Sequence, residues 1–386
     1  MFRKNKHTVD LFVVQPTTFC NINCTYCYLP DRAIKKRLSP EILRISLDRL
    51  KKDKLFGSEF TLVWHAGEPL ATGLKHFRDL VEVVEDFAHL NRVKVKHSIQ
   101  TNGILINQEW CDFFNKYDIQ IGISIDGPEF LHDANRLTHT GKGTFDLVMK
   151  GIGFLRKNKI PYHGIAVVTA QSLEFPKEMF TFFSQNGFYS LGLNIEEVEG
   201  VNFESSLDKD PEIDRKFHLF WKTLYDLYKE SDREMKVREF DNILRSIFRD
   251  PGVKDIKKLE PHPHQIYPFA IITMDTNGNF STFSPELLGQ KSEAFNNFIF
   301  GNVEVENFLN SRNHRAFQTV RRDIRNGVEK CRKSCKYFYL CGGGAPSNKY
   351  YENGTFDSTT TSYCRYTIMS PINVVLESLE NQVSAH

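Results

Sequence analysis

Short apolar runs alternate with longer amphipathic segments along the first half of the chain. The runs 11–15, 61–64, 94–99, 119–124, 164–168 and 191–195 are rich in Val, Ile, Leu and Phe, as buried strands are. Between them, the segments 40–51, 74–90, 108–116, 144–158 and 175–185 repeat apolar residues three and four apart, as in Leu80, Val83, Val84 and Phe87, and so predict helices. Strand followed by helix, repeated, predicts a parallel α/β sheet. The periodicity leaves two forms open, a full or partial (β/α) barrel and an open doubly wound sheet.

The alternation stops after Glu196. Residues 199–211 are polar and read as a loop. Residues 212–230 read as a helix whose aromatic stripe (Phe217, Phe220, Trp221, Tyr225, Tyr228) faces a core. The stretch 251–268 carries Pro251, Pro261, Pro263 and Pro268 and reads as a linker or extended crossover. Runs 271–274 and 279–282 flank Asn277-Gly278, a hairpin signal. The remainder is loop-rich and cysteine-bearing, with little core, and so calls for a metal staple.

Composition narrows the function classes. The 386 residues include 32 Phe and 14 Tyr, enough for a large core and incompatible with disorder. Fifty Lys+Arg against 48 Asp+Glu leave a net charge of +2, which argues against nucleic-acid binding. No apolar run nears the ~20 residues of a membrane span. The basic start (Met1 to Lys6) precedes an apolar stretch at 11–14 that is too short for a signal-peptide core of roughly 7–15 residues. The chain is therefore expected in the cytoplasm, where cysteines read as metal ligands or catalytic thiols rather than disulfides.

Seven of the eight cysteines are clustered. Cys20, Cys24 and Cys27 form a C-x3-C-x2-C loop directly after the first strand; Cys331, Cys335, Cys341 and Cys364 form C-x3-C-x5-C-x22-C. Thiolate groups of this kind suit zinc or iron–sulfur clusters. A structural zinc takes four ligands, whereas three cysteines around a four-iron cluster leave one iron open. Spacing alone leaves both metals open at both sites. Gly342, Gly343 and Gly344 free backbone N–H groups to approach cluster sulfurs. Cys111 reads as a buried free thiol. His262 and His264 sit in the proline-rich stretch, without the convergent partners a metal needs.

The string Cys20-Asn21-Ile22-Asn23-Cys24-Thr25-Tyr26-Cys27 resembles the signature of the radical S-adenosylmethionine (SAM) family. His65-Ala66-Gly67-Glu68-Pro69 resembles that family's Gly-Gly-Glu-Pro segment, whose backbone receives the SAM amino group; Ala66 replaces the first glycine. Gln100-Thr101-Asn102-Gly103 follows the third strand. Ser124-Ile125-Asp126-Gly127-Pro128 resembles the ribose-contacting segment. His132-Asp133, Arg136 and Gly143-Thr144-Phe145 resemble a stretch whose arginine meets the SAM carboxylate. The resemblance implies a partial (β/α)6 barrel of TIM type with a [4Fe–4S] cluster on Cys20, Cys24 and Cys27. It implies SAM contacts from Tyr26, Ala66, Gly67, Glu68, Gln100, Thr101, Asn102, Ser124, Asp126 and Arg136. One electron then cleaves SAM to methionine and a 5′-deoxyadenosyl radical, which takes a hydrogen atom from an unactivated carbon.

The C-terminal cysteines resemble the SPASM extension of peptide-modifying radical SAM enzymes, whose spacing is near C-x2-C-x5-C-x3-C with a distant final Cys. One extra residue separates Cys331 from Cys335. Ala345 stands at the x3 position, and Phe283 stands where a further cysteine follows the hairpin. The resemblance thus implies one auxiliary [4Fe–4S] cluster, on Cys331, Cys335, Cys341 and Cys364, and two clusters in all. It divides the chain into a barrel (1–198), a helical bridging region (199–268) and a SPASM-like unit (269–386).

The segments Cys20 to Arg32, Trp64 to Leu70 and Cys341 to Lys349 are similar to maturases that cross-link ribosomally made peptides, especially the cyclophane-forming ones. There a β-carbon radical adds to an aromatic ring of the same peptide, and the adduct loses one electron and one proton. Glu286 is the candidate base; in the related sulfatase-maturing enzymes an acidic residue follows the cysteine that Phe283 replaces. The expected partners are a precursor peptide, held by the barrel rim, by 199–268 or by another protein, and an electron donor such as flavodoxin or ferredoxin. The alternatives are formylglycine formation on a sulfatase, thioether formation, epimerisation, and a non-catalytic zinc-stabilised binding protein.

Overall fold

The computed structural model describes residues 8–248 and 264–384. Residues 1–7 and 249–263, with His262 and most of the proline-rich stretch, lie outside the described residues.

Strands β1 (Leu11–Val14), β2 (Glu59–Trp64), β3 (Lys94–Thr101), β4 (Gln120–Ser124), β5 (Tyr162–Val168) and β6 (Ser190–Ile195) pair in parallel and in sequence order. Helices α1 (Pro40–Lys52), α2 (Leu74–Asn91), α3 (Gln108–Lys116), α4 (Glu129–His132), α5 (Phe145–Lys157) and α6 (Pro176–Gln185) connect them. Local chemistry sets the helix starts. The Ser39 side chain accepts the Ile42 N–H ahead of Pro40, and Asn107 accepts the Trp110 N–H; both are N-caps. Each helix buries its apolar stripe; in α2 the stripe is Phe77, Leu80, Val81, Val83, Val84 and Phe87. The sheet stays open, with β7 (Lys236–Val237) extending it in parallel beyond β6. It is the expected partial (β/α)6 arrangement.

The hairpin joins this sheet. β8 (Ile271–Met274) pairs in parallel with β1, in register from Leu11↔Ile271 to Val14↔Met274. β9 (Asn279–Thr282) and β10 (Gly301–Asn302) continue antiparallel. One ten-stranded sheet, β10-β9-β8-β1-β2-β3-β4-β5-β6-β7, therefore runs through all three sequence segments. The turn differs from a two-residue Asn-Gly turn. Only Gly278 of the pair is left-handed (φ +78°), and the Asp275 carboxylate accepts the N–H groups of Asn277 and Asn279, as in a three-residue hairpin loop.

The C-terminal unit has more core than its loop-rich sequence suggests. Phe280, Phe283, Phe298, Phe300, Phe308 and Phe317 are all buried. Helices α7 (Ile213–Glu230) and α8 (Arg238–Ile247) precede it; α9 (Arg315–Ser334), α10 (Phe338–Cys341), α11 (Pro346–Asn353), a π-helical turn (Cys364–Met369) and α12 (Ser370–Ser384) complete it. The aromatic stripe of α7 is core, as expected. Trp221 Nε1 donates to the Tyr366 carbonyl at 2.7 Å, and Phe217 stacks on Tyr366 with ring centroids 4.4 Å apart. No helix among the described residues is long and apolar enough to cross a membrane.

Candidate functional site

The loop after β1 carries the first cysteine set, and its neighbours fix its path. Cys20 N–H donates to the Arg32 carbonyl at 3.0 Å, Asn23 N–H to Leu137 at 2.7 Å and Thr25 N–H to Asn135 at 3.0 Å. From below, Glu68 N–H donates to the Phe19 carbonyl at 2.7 Å. That approach requires Gly67: its φ is +63°, and a Cβ there would lie 2.4 Å from the Thr17 carbonyl oxygen.

Cys24 is buried; Cys20 and Cys27 are half-buried. Burial, the Glu68 charge and the neighbouring cysteines push the Cys20 thiol up to about 12. Burial pushes Cys24 up to about 11 against the opposing pull of Arg136. These thiols stay protonated unless a metal centre takes them as thiolates. Asn102 Nδ2 lies 4.0 Å from Cys20 Sγ, and Arg136 Nη1 lies 4.0 Å from Cys24 Sγ. Among the described residues no three His, Cys, Asp or Glu side chains converge as one metal ion requires.

Beside the thiols, Asp126 is fully buried and saturated. It accepts Arg136 Nη2 at 3.0 Å, the Val167 N–H at 2.9 Å and the Tyr26 hydroxyl. Arg136 also lies over the Tyr26 ring. The buried Arg136 Nε has no partner, and Arg136 lines a cavity of about 650 Å³. A guanidinium at a cavity wall fits a carboxylate-bearing ligand. Gln100 donates to Ser124 Oγ at 2.8 Å, and both line the same cavity.

Of the expected cofactor contacts, Tyr26, Gln100, Ser124 and Arg136 line the cavity, whereas Ala66, Gly67, Glu68, Thr101, Asn102 and Asp126 do not. Glu68 faces inward. It accepts the Leu70 N–H at 3.0 Å, Thr101 Oγ1 at 2.6 Å and the Asn102 N–H at 2.8 Å. These bonds tie the loops after β2 and β3, and Asn102 in turn donates to Asn21 at 2.8 Å. Burial raises the Glu68 carboxyl to about 6 against those three donors.

The cavity crosses the C-terminal ends of the strands. Cys24, Cys27, Ile165, Val167, Leu193, Ile195, Cys341, Ala345 and Asn348 are among its lining residues. Its wall also holds Glu197, Glu199 and Glu286. Glu197 Oε2 accepts Asn348 Nδ2. Burial and the Glu286 charge push Glu197 up to about 8. Burial, Glu197 and Glu286 raise Glu199 well above the carboxylate range, and burial raises Glu286. Glu199 Oε1 and Glu286 Oε2 are buried without partners. Carboxylates so crowded cannot all ionise together.

The second cysteine set closes on itself. Cys331 lies in the last turn of α9, Cys335 caps that helix with its N–H on the Cys331 carbonyl at 2.8 Å, Cys341 ends α10 and Cys364 opens the π turn. All four border one narrow cavity. Burial raises Cys341, while the N–H groups of Gly343 and Gly344 pull it down. Burial and the neighbouring cysteines push Cys364 up to about 12. Lys349 is 95 % buried, and its Nζ lies 3.3 Å from Cys331 Sγ. A buried cation against thiols fits an anionic occupant.

No thiol stands where Phe283 does. Its ring is buried against Phe300 and Phe317, and Phe269 stacks on Phe317. Cys111 is buried in α3, apart from both sets. His264 pairs with Asp10 at an exposed position. Reading the sequence missed Glu197, Glu199, Asn348 and Lys349. The acidic run after β6 was the one available signal, since strand C-termini are where such folds keep their chemistry.

Comparison with known proteins bears on the family and the fold. Residues 14–183 match the family model described as the Radical SAM superfamily. The uncharacterized protein sll1766 of Synechocystis sp. is 43 % identical over 97 % of this chain and 93 % of its own length. A cysteine-type anaerobic sulfatase-maturating enzyme of Clostridium novyi is 24 % identical over 91 % of this chain and 92 % of its own. The solved structure of native anSMEcpe with bound AdoMet and Cp18Cys peptide superposes with a TM-score of 0.77 at 21 % identity, covering 97 % of this chain and 99 % of that one.

Proposed function

Because this chain belongs to the radical SAM superfamily, we propose that it is an enzyme that oxidises a ribosomally made peptide, joining a side-chain β-carbon to an aromatic ring. The observation that carries this reading is the single cavity bordered by both cysteine sets and by three crowded carboxylates. Cys20, Cys24 and Cys27 would hold a four-iron cluster open to SAM; Cys331, Cys335, Cys341 and Cys364 would hold a closed one. When bound, this cofactor set supplies a 5′-deoxyadenosyl radical and an acceptor for one electron.

The chain's own residues do the rest. Arg136 would meet the SAM carboxylate from the cavity wall. Asp126 fixes both Arg136 and Tyr26, so that contact is set before the ligand arrives. Ile165, Val167, Leu193 and Ile195 keep water from the reacting carbon. The group Glu197, Glu199 and Glu286 takes the proton that the ring releases, with one carboxylate of the three ionised to receive it. Phe283 and its aromatic neighbours occupy the region of a second auxiliary site, which supports a single auxiliary cluster.

The test is mass spectrometry of a candidate precursor after anaerobic turnover. The reading predicts loss of two hydrogens, with fragmentation placing a new bond on a Trp, Phe or Tyr ring. An unchanged mass with an inverted stereocentre would replace it with epimerisation. Formylglycine formation is a second reading, favoured by the full-length likeness to the Clostridium novyi enzyme. It would give a product that reacts with hydrazide and carries no ring linkage. Phe283 and Ser284, in place of a cysteine and its acidic neighbour, weigh against it.

A further inference from the structure

We propose that Lys349 is a positioning residue that raises the reduction potential of the group held by Cys331, Cys335, Cys341 and Cys364, by fixing a positive charge against the Cys331 sulfur. The inference rests on reading those four thiols as the auxiliary iron–sulfur site.

Lysine is almost never fully buried unless it is paired. Lys349 is 95 % buried on α11, and the one partner for its ammonium among the described residues is Cys331 Sγ, at 3.3 Å. No carboxylate there lies within ion-pair distance of it. A neutral thiol does not compensate a buried ammonium. A four-thiolate iron–sulfur group does, because it carries net negative charge. Reduction adds one more negative charge at the same place. A fixed cation in dry surroundings therefore stabilises the reduced state more than the oxidised one.

The sequence around Lys349 builds this placement. Gly342, Gly343 and Gly344 are all left-handed, and this turn lets the chain pass close to Val328 of α9. Pro346 then starts α11, whose first four residues are all buried. Asn348 reaches Glu197 and Lys349 reaches Cys331, so consecutive residues serve the two walls of the helix's surroundings.

The experiment uses the full chain with Cys20→Ala, Cys24→Ala and Cys27→Ala, which leaves the auxiliary site as the one cluster site, reconstituted anaerobically. The midpoint potential is read by redox titration followed with EPR, in the Lys349, Lys349→Arg and Lys349→Met forms. The expected result is a lower midpoint in Lys349→Met and recovery toward the parent value in Lys349→Arg, at equal iron content. Loss of iron in Lys349→Met with retention in Lys349→Arg also supports a charge role. An unchanged midpoint in Lys349→Met would overturn the proposal, as would loss of iron in both variants, which would make Lys349 a packing residue. A triple variant that binds no iron while Lys349 is present would instead overturn the reading of the four thiols.

Discussion

The Asn348 side-chain amide donates to Glu197 Oε2 at 2.5 Å, joining the first turn of α11 to the acidic run that follows β6. The bond crosses from the cysteine-rich unit to the barrel. It also leaves one carboxylate of the crowded group with a fixed donor, while Glu199 Oε1 and Glu286 Oε2 have none. Glu197 is therefore the member of the group that is held in one position.

Glu197→Gln preserves an acceptor for Asn348 and removes the ionisable group. Cross-linked product should fall about hundred-fold, at the lower end of the usual range for a lost general base. Formation of 5′-deoxyadenosine should stay within about two-fold, because radical generation precedes proton loss. Chromatographic quantification of both products gives the ratio, and parallel loss of both would refute the assignment.

The same residue links stability to pH. Its folded-state carboxyl is raised from 4.5 to about 8, so between those values the folded protein holds a proton that the unfolded chain has released. Its contribution is fully present below about 4.5 and is lost as pH rises through 8. Glu197→Gln removes this dependence. Relative to wild type, the variant should gain stability from pH 5 to pH 8, by on the order of 1–2 kcal/mol, since a one-unit pKa difference corresponds to about 1.4 kcal/mol and neighbouring carboxylates share the shift. Urea midpoints at the two pH values measure it.

Gly67→Ala tests how the cysteine loop is supported. The substitution combines a left-handed alanine with a Cβ 2.4 Å from a backbone oxygen. A cost of about 2–4 kcal/mol is expected from strain and overpacking. Reconstituted iron at the first site should fall with it, while the auxiliary site keeps its own. Iron analysis and the denaturation midpoint together check the outcome.

Phe283→Cys restores a cysteine type without restoring a site. It leaves a void against Phe300 and Phe317, at a cost of about 2–4 kcal/mol by analogy with other large-to-small core changes. Iron should remain at about eight per chain, two four-iron clusters. A rise to about twelve would mean that this region retains a second auxiliary cage.

The barrel strands were legible because each is a short apolar run between turn residues. The loop cysteines were legible because their spacing is local. Lys349 and Glu197 were not: each is a charged residue on a sequence that reads as surface, and only tertiary packing buries them. The pairing of β8 with β1 was equally hidden, since no local pattern names a partner so far away. Glu68 shows the opposite case. Its motif was visible, yet its three internal hydrogen bonds turn it toward the loops and away from the cavity.

The β1–β8 pairing also governs how the chain is made. Leu11 and Ile271 are register partners about 260 residues apart. On the ribosome β1 emerges early, pairs with β2, and waits with its other edge bare until β8 follows. An apolar, unpaired parallel edge is a template for aggregation, and contacts of such long range form slowly. The second edge of β1 therefore stays unpaired through most of synthesis. Truncation anywhere before Ile271 leaves that edge of β1 without its partner.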